Sequence, residues 1–300
     1  MKPLKPILAV GSVALDSLET VNGNESDILG GSLTYFALSA SLFCRPSILG
    51  VVGEDFPLSG WRLLKDKNID IKNIETKPGK TFRWGGRYNT DYSTRETLFT
   101  DLGVFGDFNP IITNNYKNVD FLFLGNIQPD LQLSVAEQMN SAKTVVCDTM
   151  NLWIDLSLER LYDVLNLVDI FLLNDEEALQ ITNSHNLSHA ADALHDRGPG
   201  VVIIKQGAKG SLLSWDNKKL QIPVFPISTL IDPTGAGDSF AGGLIGHLAI
   251  NGKDSLINAV ATGSAIASFT VSQFGVRGLL NIKPAEIETR KQFILQSINQ

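Results

Sequence analysis

The sequence has 300 residues, of which 43% are apolar, and carries a formal net charge of −7 with a pI of about 5.1. That acidity argues against a nucleic-acid or anionic-membrane partner, and no apolar run reaches the roughly 18–20 residues that a membrane-spanning helix needs. The two cysteines, Cys44 and Cys147, lie in apolar surroundings, as expected for buried thiols in a reducing, cytoplasmic compartment.

The first forty residues predict a buried strand followed by a helix. The apolar run 7–11 ends in glycine, as a buried parallel strand does, and Asp16 follows it where open α/β sheets bind their ligands. Gly30-Gly31 precedes a helical pattern of apolar residues at 33–43, for which Ser32 is the expected N-cap.

Two β-prone, polar-rich segments come next, at 81–88 and 96–102. Large or cationic side chains in this region are Trp84, Arg87, Tyr88 and Arg95. Two interpretations stay open: these side chains face a ligand, or the segments form an exposed hairpin whose aromatic residues only cover its own edge.

Apolar strands alternate with helical patterns through the rest of the chain. The predicted strands are 47–53, 119–124, 144–148, 169–174 and 201–205. This alternation is typical of one three-layer α/β/α domain with a parallel sheet. Asn126, Asp148 and Asn174 come at strand ends, which meet at the ligand-binding edge of such a sheet.

The stretch from Asp232 to Gly243 is the most informative about function. Its Gly235-Ala236-Gly237 segment leads into an apolar helical run, so backbone N–H groups and the helix dipole form an anion hole for phosphate. Asp238 follows in the first helical turn, where a carboxylate accepts the proton of a hydroxyl that is being phosphorylated. A glycine-rich turn with an acidic cap is the simpler alternative for a motif this short.

Residues 232–245 resemble, position by position, the C-terminal signature of the ribokinase-like (PfkB-type) carbohydrate kinases. Asn174 with Glu177 is similar to the family's Asn-x-x-Glu motif, although an acidic helix cap has the same pattern. Residues 207–210 are similar to its Gly-x-x-Gly nucleotide turn. The resemblance extends over nearly the whole chain.

The resemblance implies an α/β fold: a three-layer α/β/α, ribokinase-like (Rossmann-like) domain over residues 1–300. Segments of approximately 12–30 and 80–103 would form a small β-sheet lid over the substrate. The asparagine that the family often has four residues after its second glycine is Tyr35 here, so the sugar contact of that asparagine does not transfer.

The resemblance also implies roles residue by residue. For catalysis it points to a general base and an anion hole: Asp238, Gly235, Ala236 and Gly237. For the substrate it points to Asp16, Gly30, Gly31, Asn126 and Asp238. For the nucleotide it points to Asn174, Glu177, Lys205, Gly207, Gly210, Thr234, Gly235 and Gly237. Glu177 would hold Mg²⁺ through water, and Asp232 would lie by an activating monovalent cation such as K⁺, a site left open because Leu279 stands where ribokinase has a serine ligand.

The implied activity is ATP-dependent phosphorylation of a hydroxyl, a CH₂OH group, on a sugar or sugar-like molecule, with Mg²⁺ as cofactor. One alternative is a nucleoside kinase of the same fold, with Tyr35 and Trp84 as flat surfaces for a base. The second is a catalytically silent sugar- or nucleotide-binding module, against which the presence of Asp238 argues. We favour an uncharged acceptor bound by Asp16, and the oligomeric state stays open, a homodimer included.

Overall fold

The computed structural model describes residues 5–92, 94–139 and 142–298. The strands are β1 (Ile7–Val10), β2 (Ala14–Thr20), β3 (Gly23–Gly30), β4 (Ser47–Gly53), β5 (Asp70–Lys77), β6 (Phe82–Tyr88), β7 (Arg95–Asp101), β8 (Phe121–Leu124), β9 (Thr144–Asp148), β10 (Ile170–Asn174), β11 (Val201–Lys205), β12 (Ser211–Trp215) and β13 (Lys218–Ile222). The helices are α1 (Ser32–Ala40), α2 (Leu58–Asp66), α3 (Pro129–Gln138), α4 (Asn151–Leu165), α5 (Asp175–Thr182), α6 (Leu187–His195), α7 (Ala236–Asn251), α8 (Leu256–Thr270) and α9 (Pro284–Ser297).

Nine strands form the central sheet, in the order β13-β12-β11-β10-β9-β8-β1-β4-β5. All neighbours are parallel except where β12 pairs with β11 and with β13. The α/β fold expected from the sequence is therefore confirmed. Parallel strands carry their ligand sites at their carboxyl ends, so the ends of β8 to β11 lie side by side at one edge.

Helices cover both faces of this sheet, which explains why its strands are apolar throughout. Ile7 and Ala9 of β1 point into a core shared with α1, α7 and α8, whereas Leu8 and Val10 point into a second core shared with α3 to α6. All four side chains are 0–1% exposed. Since successive strand residues face opposite sides, burial on both faces removes the apolar–polar alternation of an exposed strand.

A second, four-stranded sheet has the order β3-β2-β6-β7. β2 and β6 are parallel, and the outer strands pair with them antiparallel. Its strands fall within the two segments that the sequence suggested for a lid. We call it the small sheet. Within the described part of the chain, no helix is both long enough and apolar enough to span a bilayer.

Candidate active site

The start of α7 is held in place by Asp232. Its Oδ1 accepts the N–H of Thr234 at 2.9 Å and its Oδ2 accepts the N–H of Gly275 at 2.8 Å, and the side chain is fully buried. Gly235 then adopts a φ of 73°, in the left-handed region that side chains disfavour. The first N–H groups of a helix lack acceptors within the helix and attract anions, so this end of α7 has the geometry of an anion site.

Close packing beneath the turn explains its small residues. A Cβ atom on Gly235 would lie 2.3 Å from carbons of the Tyr35 ring, and one on Gly237 would lie 2.9 Å from Nζ of Lys205. The N–H of Ala236 donates to the carbonyl three residues earlier at 3.2 Å, which closes the turn. The predicted anion hole therefore lies against the Tyr35 ring at Gly235 and against the ammonium group of Lys205 at Gly237.

That ammonium group belongs to an ion pair. Nζ of Lys205 donates to both carboxylate oxygens of Asp148, at 3.1 and 3.0 Å, and the Asp148 side chain is only 5% exposed. The two residues end β11 and β9, the strands on either side of β10. The sequence placed each residue at a strand end, but their pairing follows from the order of the strands and has no sequence signal.

Two carboxyl groups beside this ion pair have strongly raised pKa values. Burial, followed by the charge of Asp148, raises the pKa of Asp238 to about 7, while Lys205 acts in the opposite direction. Burial also raises the pKa of Glu177 to about 7, again against the effect of Lys205. General bases work best when their pKa lies near the working pH, and the pKa of Asp238 lies in that range.

Glu177 is fixed by a reciprocal cap at the start of α5. Oδ1 of Asn174 accepts the N–H of Glu177, and Oε2 of Glu177 accepts the N–H of Asn174, both at 2.8 Å. The pair thus forms the helix cap that the sequence also allowed. Among the described residues, no group of three or more His, Cys, Asp or Glu side chains is placed to hold a metal ion.

The two glycines of the turn after β11 differ in their surroundings. A Cβ atom on Gly207 would meet nothing within 4 Å, whereas one on Gly210 would lie 2.1 Å from the carbonyl oxygen of Ile222. The backbone at Gly207 is therefore open to a ligand. Gly210 must be small because β13 passes directly against it.

Asp16 lies over the two glycines that precede α1. A Cβ atom on Gly30 would lie 1.9 Å from its Oδ2, so only glycine leaves room for this carboxylate. Asp16 is 3% exposed, and burial raises its pKa to about 7, with smaller contributions from the charges of Asp232 and Asp238 and against a hydrogen bond from the N–H of Gly31. Asp16 is therefore near enough to Asp232 and Asp238 for their charges to act on it, and we call the region between Asp16 and the start of α7 the candidate pocket.

The small sheet forms a wall of this pocket. Asp16 pairs in register with Trp84 on the neighbouring parallel strand, so both side chains point to the same face. Tyr88, four residues further along β6, shares a hydrogen bond of 2.9 Å with the hydroxyl of Thr234, in which either oxygen can donate. The guanidinium of Arg95 lies 5.1 Å from the centre of the Trp84 ring. The interpretation in which this region faces a ligand is therefore the one that the geometry favours.

Two other arginines of the small sheet are neutralised by carboxylates. Arg83 pairs with Asp55 at 2.8 Å and with Asp27 at 3.0 Å. Arg87 pairs with Glu19 at 2.7 Å and with one further glutamate at 3.3 Å. Neither guanidinium is free to compensate the charge of a phosphorylated acceptor.

The tip of the small sheet is tied to the turn before α7. Nδ2 of Asn22 donates to the carbonyl of Leu230 at 2.8 Å, and the hydroxyl of Tyr92 donates to the carbonyl of Ile231 at 2.8 Å. Asn22 also donates to the Tyr92 hydroxyl at 2.7 Å. No local pattern predicts these contacts, because they join residues that are 208 and 139 positions apart.

Asn126 lies at the end of β8, but its side chain has a protein partner. Its Oδ1 accepts the indole N–H of Trp153, from α4, at 2.9 Å. The amide is partly exposed at the same sheet edge as Asp148. Its Nδ2 group is the part that faces outward from this bond.

Two details of the sequence analysis were wrong. Gly31, not Ser32, is the N-cap of α1, and no side chain caps that end. The hydroxyl of Ser32 instead accepts the N–H of Ser12 at 3.1 Å. Tyr35 offers no flat surface to a base, because it is 1% exposed and its ring lies against Gly235.

Comparison with known proteins supports the resemblance seen in the motifs. The family model described as pfkB family carbohydrate kinase matches residues 14–283. A cytidine kinase of Thermococcus kodakarensis is 29% identical, over 80% of this chain and 87% of its own length. A nucleoside kinase of Methanocaldococcus jannaschii is 26% identical, over 91% and 92%.

Solved structures show the same fold. The nucleoside kinase of Methanocaldococcus jannaschii superposes with a TM-score of 0.79 at 24% identity, covering 97% of this chain and 99% of that one. A putative ribokinase II of E. coli in complex with ATP and Mg²⁺ superposes with a TM-score of 0.82 at 19% identity, covering 97% and 100%.

Proposed function

The chain belongs to the pfkB family of carbohydrate kinases and phosphorylates a sugar or nucleoside hydroxyl with ATP, and we propose that Asp238 is the base of this reaction. The observation that carries the proposal is the position of Asp238 in the first turn of α7, beside Lys205 and with a pKa raised to about 7. The acceptor hydroxyl attacks the γ-phosphorus of ATP and forms the new O–P bond while the bond to the β-phosphate oxygen breaks. Asp238 takes the hydroxyl proton, and ADP leaves.

The negative charge that develops on the transferred group needs donors nearby. The N–H groups at Gly235 and Gly237 supply them, and Nζ of Lys205 lies directly beneath. Glu177, fixed by its cap with Asn174, is the residue that would hold Mg²⁺ through water, and the ion would neutralise phosphate charge. The open backbone at Gly207 is where we place the nucleotide. The monovalent cation stays a proposal for the loop joined to Asp232 at Gly275.

We further propose that the small sheet acts as a lid on a single catalytic domain. Its wall residues face the start of α7, and its tip is hydrogen-bonded to the turn at 230–231. Closure over the reacting groups excludes water, which otherwise competes as the phosphoryl acceptor.

The acceptor that suits this pocket is uncharged. Asp16 and Asp238 line it, Arg83 is paired with Asp27 and Asp55, and Arg87 is paired with Glu19. A phosphorylated sugar would bring about two further negative charges next to these groups. We therefore retain the expectation of an uncharged acceptor whose hydroxyls donate to Asp16.

A nucleoside is favoured over a free sugar by one further observation. The partly exposed indole of Trp84 lies in register with Asp16 on the same face of the small sheet. A sugar held by Asp16 would thus place an attached base beside an aromatic ring. The cytidine and nucleoside kinases among the relatives support the same choice.

A screen of ATP-dependent ADP release tests the acceptor. The panel contains cytidine, adenosine, D-ribose, D-fructose and ribose 5-phosphate at equal concentrations. We expect the highest kcat/KM with a nucleoside. A preference for ribose 5-phosphate would overturn the uncharged acceptor, and a preference for a free sugar would overturn the role of Trp84.

The base is tested by Asp238→Asn, which is nearly isosteric and preserves the helix start. We expect kcat to fall roughly 10²–10⁴-fold, the usual worth of a positioned base, with little change in the KM of ATP. Asp163→Asn, on the surface of α4 and paired with Arg160, is the matched control. Retention of more than about a tenth of kcat would rule Asp238 out as the base.

A further inference from the structure

Tyr35 lies at the junction of the two halves of the site. It belongs to the first turns of α1, five residues after Gly30, which makes room for Asp16, and its ring packs against Gly235 at the start of α7. The side chain is 1% exposed. Its ring therefore has a structural role as support for the start of α7.

The hydroxyl of Tyr35 has no such role. It is buried and forms no hydrogen bond within the part of the chain that the structure describes. A buried hydroxyl without a partner is unfavourable, and native structures leave few of them. What sets this hydroxyl apart from the other unpaired buried polar atoms is its place between Asp16 and the start of α7, where a bound ligand would supply the partner.

The groups around this hydroxyl identify the kind of ligand. Burial raises the pKa of Tyr35 well above its usual range, and the carboxylates that add to this effect are Asp16, then Asp232 and Asp238. The phenol therefore stays protonated and acts as a donor. The carboxylates around it accept hydrogen bonds, so Tyr35 adds a donor to a pocket lined by acceptors.

We propose that the Tyr35 hydroxyl donates a hydrogen bond to the acceptor molecule, at the sugar hydroxyl whose own proton is bonded to Asp16. One hydroxyl group can donate and accept at the same time, so the two side chains hold it from both sides. Tyr35 follows the glycines at 30–31, of which Gly30 lies against Asp16, and its buried hydroxyl is near enough to Asp16 for the charge of that carboxylate to act on it. This inference rests on the proposed function and adds a residue that determines acceptor specificity.

The small sheet closes this contact off from water. Tyr88 of β6 also acts electrostatically on Tyr35 and is itself bonded to Thr234. The acceptor therefore reaches the Tyr35 hydroxyl while the small sheet is displaced, and closure then encloses it. A site that binds a hydroxyl from both sides discriminates strongly against analogues that lack it.

The test compares Tyr35→Phe with the unsubstituted protein on cytidine and its 2′-deoxy and 3′-deoxy analogues. Phenylalanine keeps the ring against Gly235 and removes the hydroxyl alone. We expect kcat/KM for cytidine to fall roughly 10- to 100-fold, with the KM of ATP unchanged. On the analogue that lacks the bonded hydroxyl, the two proteins should have equal kcat/KM, because the partner of Tyr35 is already absent.

Stability supplies the second readout. Removing an unpaired buried hydroxyl should leave the Tm equal or higher, and the Tm increase on adding cytidine without ATP should be smaller in Tyr35→Phe. Tyr116→Phe, which removes a phenol bonded to Asp70 far along the sheet, should change neither kcat/KM nor this increase.

Equal kcat/KM and equal cytidine-induced Tm shifts in the two proteins would overturn the inference. An equal fold loss on cytidine and on both deoxy analogues would overturn it as well, because the hydroxyl would then act on the protein and not on the sugar. Absence of turnover with every acceptor in the unsubstituted protein would contradict the proposed function instead, and the Tm comparison would still decide the role of Tyr35.

Discussion

Opposing charges around Asp238 set the pKa of the proposed base. Asp148 raises its pKa and Lys205 lowers it, while the two residues are bonded to each other. Burial works to lower the pKa of Lys205, but the charges of Asp148 and Glu177 outweigh it and raise that pKa above its usual value. Lys205 therefore stays protonated at the pH where Asp238 loses its proton.

This balance predicts opposite shifts of the acidic limb of the pH–rate profile. Asp148→Asn removes the charge that raises the pKa of Asp238, so the limb should move to lower pH, on the order of half a pH unit. Lys205→Gln removes the charge that lowers it, so the limb should move to higher pH. The measurement is kcat/KM for the acceptor at saturating MgATP from pH 5 to 9.

Asp163→Asn removes a surface carboxylate paired with Arg160 and should leave the limb where it is. If the acidic limb shifts in the same direction in Asp148→Asn and Lys205→Gln, or shifts in neither, the limb reports another group, such as Asp16 or Glu177. Only the position of the acidic limb on the pH axis tests this prediction. The size of kcat/KM does not, because Lys205 also lies at the proposed phosphate site.

Individual residues were predictable from sequence where a local motif defines their surroundings. Asp238 and Gly235 belong to one short stretch, and the structure places them at the start of one helix. The pairing of Asp148 with Lys205 spans 57 residues and requires that β9 and β11 both flank β10. Tyr35 was recognisable as a departure from the family pattern, but its burial under Gly235 depends on how α1 packs against α7.

At the level of elements, the tip of the small sheet is hydrogen-bonded to the turn before α7. Tyr92 has a φ of 60°, unusual for a residue with a side chain, and its hydroxyl joins Asn22 to the carbonyl of Ile231. Three residues beyond Asn22, Glu25 of β3 pairs with Arg277 at 2.6 Å. Sequence patterns predicted β6 and β7, since β-prone segments signal themselves locally, whereas β2 and β3 lie in a segment that only the resemblance assigned to a lid. No pattern indicated where the tip of the sheet is fastened.

This attachment predicts a coupling between the small sheet and the fate of the phosphoryl group. Tyr92→Phe removes the bonds to Ile231 and Asn22, so closure should be less complete and water should enter more often. We expect the ratio of ADP released to acceptor phosphorylated to rise several-fold.

Tyr162→Phe is the matched control, because its hydroxyl also donates to a backbone carbonyl, that of Ile181 at 3.1 Å, on the far side of the central sheet. A ratio that stays at the unsubstituted value in Tyr92→Phe would show that the tip does not govern access of water. A rise in both variants would point to a general loss of stability.

On the scale of the whole molecule, the fold follows from the sequence because both faces of the central sheet must be covered. Apolar strands such as β1, β8 and β10 are 0–4% exposed at every core position, and their alternation with helices leaves few arrangements. The site is less predictable because its polar groups are buried, whereas the pattern that predicts the fold is the burial of apolar residues. Asp16 and Glu177 are among the buried carboxylates whose pKa values lie near 7.

Burial of these acids should cost stability in the ligand-free protein at neutral and alkaline pH. The pKa of Asp16 rises from 3.8 in the unfolded chain to about 7 in the fold, so its neutral form is favoured by folding. The stabilising effect of this neutral carboxyl on the fold is fully present below pH 3.8, the pKa in the unfolded chain. It is lost as the pH rises through about 7, the pKa in the fold. The shift corresponds to a difference on the order of 4 kcal/mol across that window.

Asp16→Asn replaces the buried acid by a neutral group and should therefore raise the Tm at pH 8, by roughly 3–6 °C, and much less at pH 5, where Asp16 is already protonated. The same variant should lower kcat/KM for the acceptor, since it loses the charged partner of the sugar hydroxyls.

Asp55 provides the opposite case, because bonds from Thr81 and Arg83 outweigh burial and lower its pKa. Asp55→Asn should lower the Tm at pH 8. Thermal unfolding of the ligand-free proteins at the two pH values decides the matter: a gain for Asp16→Asn that is equal at pH 5 and pH 8 would mean that its charge is not what the fold disfavours.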